Sequence, residues 1–220
     1  MVIMGTGDFA FEVATVIKDI NKANYVNVHN LLGLVDCDDS TIGHHRHGLP
    51  VVASDASLAS YAAQYPLLGI AMGIGAPTLK KKLATSLFPK IDNLVFPNII
   101  SPYCHLGDKA SLHLGYGLII AAGVTMTWEI SLGNFVMLDR NVTLGHKTTI
   151  GDYSRVNPLS VIAGQVSIGQ GVIVGSGASV KQNLIIGDNA TIGMGAAVVK
   201  NVADNTTVIG AAAKPMIKTS

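Results

Sequence analysis

From Leu114 to Val198 an aliphatic residue or Met recurs at every sixth position. The series is Leu114, Ile120, Met126, Leu132, Leu138, Leu144, Ile150, Val156, Ile162, Ile168, Val174, Val180, Ile186, Ile192 and Val198, with no exception. Gly follows at 115, 133, 145, 151, 169, 175, 187 and 193, and the position two before is always apolar, Ala, Ser or Thr. A strict six-residue period belongs to a parallel β-helix. Residues two apart on a strand face one side, so positions i−2 and i point inward and i−1 points out. The glycine at i+1 suits a tight corner, where φ turns positive and a Cβ would crowd the chain. Three such walls close a triangular coil of eighteen residues, with strands on successive coils roughly 4.8 Å apart.

On that ruler, residues eighteen apart are stacked neighbours. His146 lies just past the Gly145 corner, with Trp128 one coil before it and Gly164 one coil after. A candidate base thus sits beside backbone that carries no side chain. The pattern begins faintly at Leu94, Ile100, Leu106 and Leu112, then slips by two into the main register at Leu114, which predicts a bulged corner in the first coil.

Residues 1–90 alternate strand and helix patterns and predict a small parallel sheet covered by helices, ahead of the repeats in 91–220. Expected strands are Val2–Gly5, Leu31–Asp36, Pro50–Ala53, Leu68–Gly73 and Leu94–Phe96. Phe11, Val13, Ala14, Ile17 and Ile20 mark one helical face, Asp55 or Ser57 caps a helix through Gln64, and Pro77–Leu87 starts on a proline. The turn Gly5-Thr6-Gly7-Asp8-Phe9-Ala10 fits either a phosphate cradle at a helix start or a plain tight turn, its third glycine being replaced by Ala10. Asp36, at the end of the second strand, stands where a ribose or base is held in such folds.

Charged residues make up 13% of the chain and the net charge is +1, which supports neither nucleic acid nor an anionic membrane as partner. The mean hydropathy of +0.42 reflects the solenoid rather than a membrane span: the most apolar stretch, Leu114 to Trp128, is too short and carries three glycines. Cys37 and Cys104 form no metal or disulfide pattern. His44, His45 and His47 lack the spacing of a metal site and read as a solvated loop, so no metal is expected. Lys80, Lys81 and Lys82 read as the wet face of a helix. Met1 leads straight into a strand-like segment without a signal peptide, which points to the cytoplasm.

Met4–Val13, Leu144-Gly145-His146 with Ile150-Gly151-Asp152, and Gly210–Lys214 together resemble the NeuD/PglD-type sugar acetyltransferases over nearly the whole chain. The resemblance implies a Rossmann-like nucleotide-sugar-binding unit in 1–90 and a left-handed β-helix acyltransferase unit in 91–220. It also implies a homotrimer with sites between subunits, and acetyl-CoA as donor to the amino group of a nucleotide-linked deoxyamino sugar. The family's histidine falls on His146 as general base, and its oxyanion-binding amide on Gly164. The coenzyme contacts fall on Ser176 and Met194, and the nucleotide-sugar contacts on Gly7, Asp8, Phe9, Asp36 and Gly73. Three positions depart from the family pattern. Lys147 replaces the acid after the histidine, with Glu129 one coil below placed to offset it; Arg155 replaces a second histidine and would draw coenzyme phosphates; and the tail loses its proline. O-acetylation of a sugar or sialic acid, and a non-catalytic binding protein, fit the same residues.

Overall fold

The computed structural model describes residues 1–26 and 28–210. The N-terminal strands are β1 (Val2–Met4), β2 (Gly33–Asp36), β3 (His45–Arg46), β4 (Leu49–Ser54), β5 (Leu68–Met72) and β6 (Leu94–Val95). They form one sheet in the order β3-β4-β2-β1-β5-β6, parallel except for the β3–β4 hairpin. The helices are α1 (Asp8–Asn24), α2 (Leu58–Ala62) and α3 (Pro77–Ser86). Alternate residues of each strand enter opposite layers: Val2 and Met4 pack with Leu58 and Leu83, whereas Ile3 packs with Val13 and Ile17 of α1. α2 is shorter than the sequence suggests. Ser57 precedes it without capping it, because its hydroxyl accepts the Ser54 N–H at 2.9 Å instead.

From Ile99 the chain winds as a left-handed parallel β-helix of two-residue strands on three walls. The first wall runs from Ile99–Ile100 to Thr207–Val208, the second from His105–Leu106 to Ala197–Val198, and the third from His113–Leu114 to Ile185–Ile186. Partners through the main repeat are eighteen apart, as in Thr125↔Thr143 and Leu132↔Ile150. Every residue of the six-step series from Ile120 to Val198 is buried in one continuous core, with Leu114 packed at its edge. The slip in register is a 3-10 turn at Lys109–Ser111, capped by Asp108, which stretches the spacing of the first coil.

Of the two reasons expected for the corner glycines, crowding of a Cβ holds and a positive φ does not. None of the eight has a positive φ; the left-handed residue comes two places later, at Lys147 (φ 58°), Tyr153 (63°) and Asn189 (55°), or at Gly171, Gly177 and Gly195. What the i+1 position requires is closeness: a Cβ on Gly151 would lie 2.6 Å from the Gln170 nitrogen, and one on Gly175 2.6 Å from the Met194 nitrogen. At these corners, unlike those of Ala121 and Ala163 at the same place in the repeat, the next coil leaves no room for a methyl group.

The sheet unit docks on the first wall. Ile99, Ile119 and Met137 occupy outward positions, yet all are buried under α1. Phe88, Phe96, Tyr116, Phe135 and Tyr153 form an aromatic cluster beside this contact. Glu12 pairs with Arg140 at 3.0 Å across it. Lys80 corrects the reading of a solvated lysine run. It is 1% exposed, and its Nζ donates to the Phe135 carbonyl at 2.8 Å. Burial, with Arg155 nearby, lowers its pKa to about 7.

Candidate active site

Two clusters carry the expected site residues. The first lies at the C-terminal edge of the sheet, where the order of strands reverses beside β1 and α/β folds leave a crevice. β1 delivers Gly5 to Phe9, β2 delivers Asp36, and β5 delivers Gly73 to Gly75. Gly7 precedes α1 in extended backbone, and no side chain caps the helix start. At Gly73 a Cβ would strike Ile3, Met4 and Ala10, so this glycine lets the crossover helix close on the strand. Asp36 is held firmly: its Oδ2 accepts from Thr6 at 3.0 Å and Thr41 at 3.1 Å, and its Oδ1 from the Cys37 N–H at 2.7 Å. Burial alone would raise its pKa, but these hydrogen bonds outweigh it and hold the carboxyl below the usual range. Gly7, Asp8, Phe9, Asp36 and Gly73 are therefore brought to one edge.

The second cluster is the corner after the second wall. Trp128, His146 and Gly164 succeed one another on three coils there, as the ruler predicts. The imidazole lies against Gly164, where a Cβ would sit 2.6 Å from Nε2 and 2.8 Å from Cε1. At the corner after the third wall, the corresponding N–H groups are taken by side chains one coil on: Asn134 N–H by Asp152 at 2.7 Å, and Gln170 N–H by Asp188 at 2.9 Å. The Gly164 N–H has no acceptor among the described residues. Thr148, buried behind the corner, ties the two coils by donating to the Gly145 carbonyl at 2.7 Å and to that of Ala163 at 3.2 Å. An exposed imidazole beside an open amide is suited to take a proton while an oxyanion is stabilised next to it.

Lys147 is engaged rather than free. Its Nζ lies 3.7 Å from Glu129 and 5.1 Å from the centre of the Trp128 ring.

Ser176 and Met194 follow strands of the first wall, so within one chain they occupy a different corner from His146. They do stack on each other, Gly195 N–H donating to the Ser176 carbonyl at 2.9 Å, and Met194 is 76% exposed. Arg155 lies on the flat of the first wall, in the outward ladder that continues Ile119 and Met137. Its guanidinium fills the space left by Gly75, stands 5.4 Å over the Phe9 ring and lies 3.7 Å from Asp139; its Nε is buried with no hydrogen-bond partner among the described residues. It faces the sheet crevice, one coil before Ser176 and two before Met194. The apolar outward residues Ile99, Ile119 and Met137 were the sequence signal for this junction.

His44, His45 and His47 are exposed, with His47 ring-packed on Phe11 at 4.1 Å. No group of three or more His, Cys, Asp or Glu among the described residues is placed to hold a metal ion, and no described helix is long and apolar enough to cross a membrane. Of the tail Gly210–Lys214, residues 211–214 lie outside the described residues.

No family model and no curated protein sequence matches the chain. Solved structures do. The perosamine N-acetyltransferase PerB of Caulobacter crescentus, in complex with CoA and GDP-perosamine, superposes with a TM-score of 0.84 at 26% identity, over 95% of this chain and 93% of that one. The acetyltransferase domain of PglB from Neisseria gonorrhoeae, with acetyl coenzyme A, gives 0.81 at 22% over 98% of both chains. WeeI from Acinetobacter baumannii gives 0.81 at 23% over 95% of both. The likeness to NeuD/PglD-type sugar acetyltransferases, and the two-part fold it implies, are borne out.

Proposed function

From that kinship, we propose that the chain transfers an acetyl group from acetyl-CoA to the amino group of a nucleotide-linked deoxyamino sugar. The observation that carries the reading is the imidazole of His146 lying against the open N–H of Gly164. The acceptor amine attacks the thioester carbonyl, and His146 takes the proton released as the C–N bond forms. The oxyanion meets the Gly164 N–H. Collapse breaks the C–S bond, and the coenzyme leaves as its thiol with the proton that His146 held. An amine suits this site better than a hydroxyl, because part of it is already unprotonated near neutrality and His146 has no carboxylate partner among the described residues.

The acceptor's nucleotide lies at the sheet crevice on Gly7, Asp8, Phe9, Asp36 and Gly73, and the coenzyme arm runs past Ser176 and Met194. Because those two residues sit one wall away from His146 in the same chain, the complete site forms at a seam between copies, and the assembly is a homotrimer working in the cytoplasm. Arg155, facing Phe9 and Gly75, serves the acceptor's phosphates rather than the coenzyme's.

The test is incubation with acetyl-CoA and a panel of nucleotide-linked amino sugars, following free thiol and the mass and NMR spectrum of the product. A product acetylated on nitrogen with its nucleotide intact supports the reading. O-acetylation, or no binding of either substrate by calorimetry, overturns it.

A further inference from the structure

A histidine base works only if its ring is held, and the usual device is a hydrogen bond from its second nitrogen to a carboxylate or carbonyl. The His146 side chain makes no such bond among the described residues. Its ring is instead enclosed along the stack of coils. On one side is Gly164, close enough that no Cβ fits between. On the other is Trp128, one coil back, with its ring near parallel to the imidazole at 22° and 6.1 Å between centroids.

Trp128 is itself held. Lys147 places its Nζ 5.1 Å from the indole centre and 3.7 Å from Glu129, while the Lys147 N–H donates to the Trp128 carbonyl at 3.0 Å. The cation–π contact and the ion pair therefore share one ammonium, that of Lys147. A half-exposed tryptophan on a β-helix corner has no core to fill: Trp128 is 42% exposed and belongs to none of the buried clusters.

We propose that Trp128, clamped by Lys147 and Glu129, is the positioning residue for His146, orienting the imidazole by ring stacking in place of a hydrogen-bonded partner. The inference rests on the reading of His146 as the base. It also gives Lys147 a role: the cation that replaces an acid beside the histidine is spent on the indole and Glu129.

Two measurements on the full chain test it. The first is independent of any activity. In wild-type protein the His146 ring C–H resonances, identified by their loss in His146→Asn, are displaced upfield by the indole, and Trp128→Ala returns them toward the values of the exposed histidines. Unmoved resonances mean the rings do not stack and overturn the proposal, whatever reaction the protein performs. The second is kinetic. Trp128→Ala lowers kcat about tenfold, an aromatic pair's worth of ordering, leaves KM for both substrates unchanged and alters the pH profile of kcat, while Trp128→Phe restores most of the rate. An unchanged kcat, a loss confined to KM, or a failure of Trp128→Phe to restore the rate makes Trp128 a substrate contact or a packing residue and sinks the proposal. Should Trp128→Ala not fold, the wild-type and Trp128→Phe spectra decide alone.

Discussion

Gly164→Ala separates chemistry from folding at the site. The added Cβ would lie 2.6 Å from His146 Nε2, 2.8 Å from Cε1 and 3.0 Å from Cδ2, where comfortable contacts begin near 3.5 Å, so the imidazole must retreat by about 1 Å. Trp128 stands behind it and narrows the path of retreat. A 1 Å misplacement of a reacting group costs about 10²-fold in rate, so kcat should fall by about two orders of magnitude while the Gly164 N–H itself remains. Stability should move by less than about 1 kcal/mol, since the φ of Gly164 is open to alanine and the atoms struck belong to a side chain that can swing. Gly151→Ala is the control. There the new methyl meets backbone, 2.6 Å from Gln170 N and from Gly169 C, and the expected loss is about 1–3 kcal/mol of stability. Thiol release from acetyl-CoA and urea denaturation, run on both variants, give the comparison. Full activity in Gly164→Ala would refute the placement of the imidazole over that glycine.

Other predictions follow from the junction between the two units. Lys80 has a pKa of about 7 in the folded chain against 10.5 as the ordinary value. Between those values the unfolded chain binds the extra proton, so the native state gains stability as pH rises, at about 1.4 kcal/mol per pH unit from this group. Urea midpoints from pH 7 to 9 should therefore climb more steeply for wild type than for Lys80→Met at equal protein concentration, and parallel curves would show that Lys80 is not buried as described. Arg155→Ala should raise KM for the nucleotide-linked acceptor about tenfold, one charge-assisted contact, and leave KM for acetyl-CoA alone; the reverse pattern would return Arg155 to the coenzyme.

The β-helix was legible because its geometry is one-dimensional. A six-residue period fixes which residues point inward, and Trp128, His146 and Gly164 fall on one corner by counting alone. For the corner glycines the same counting was half right, because the pattern shows where glycine is needed but does not separate crowding, which holds, from positive φ, which does not. Lys80 was unreadable for a different reason: its helix runs Lys80-Lys81-Lys82, and only docking on the Phe135 corner decides which lysine is covered. Arg155 was legible as a departure from a family pattern, and Asp139 lies one coil from it, yet its other partners Phe9 and Gly75 come from distant segments that no spacing connects.

The proposed transfer needs one imidazole acting beside one bare amide. Its most direct measurement is the turnover of His146→Ala with acetyl-CoA and a nucleotide-linked amino sugar, alongside sedimentation to confirm that the assembly is unchanged. Removing a general base should cost about 10³-fold in kcat with the oligomer intact. An undiminished rate in a correctly assembled variant would contradict it.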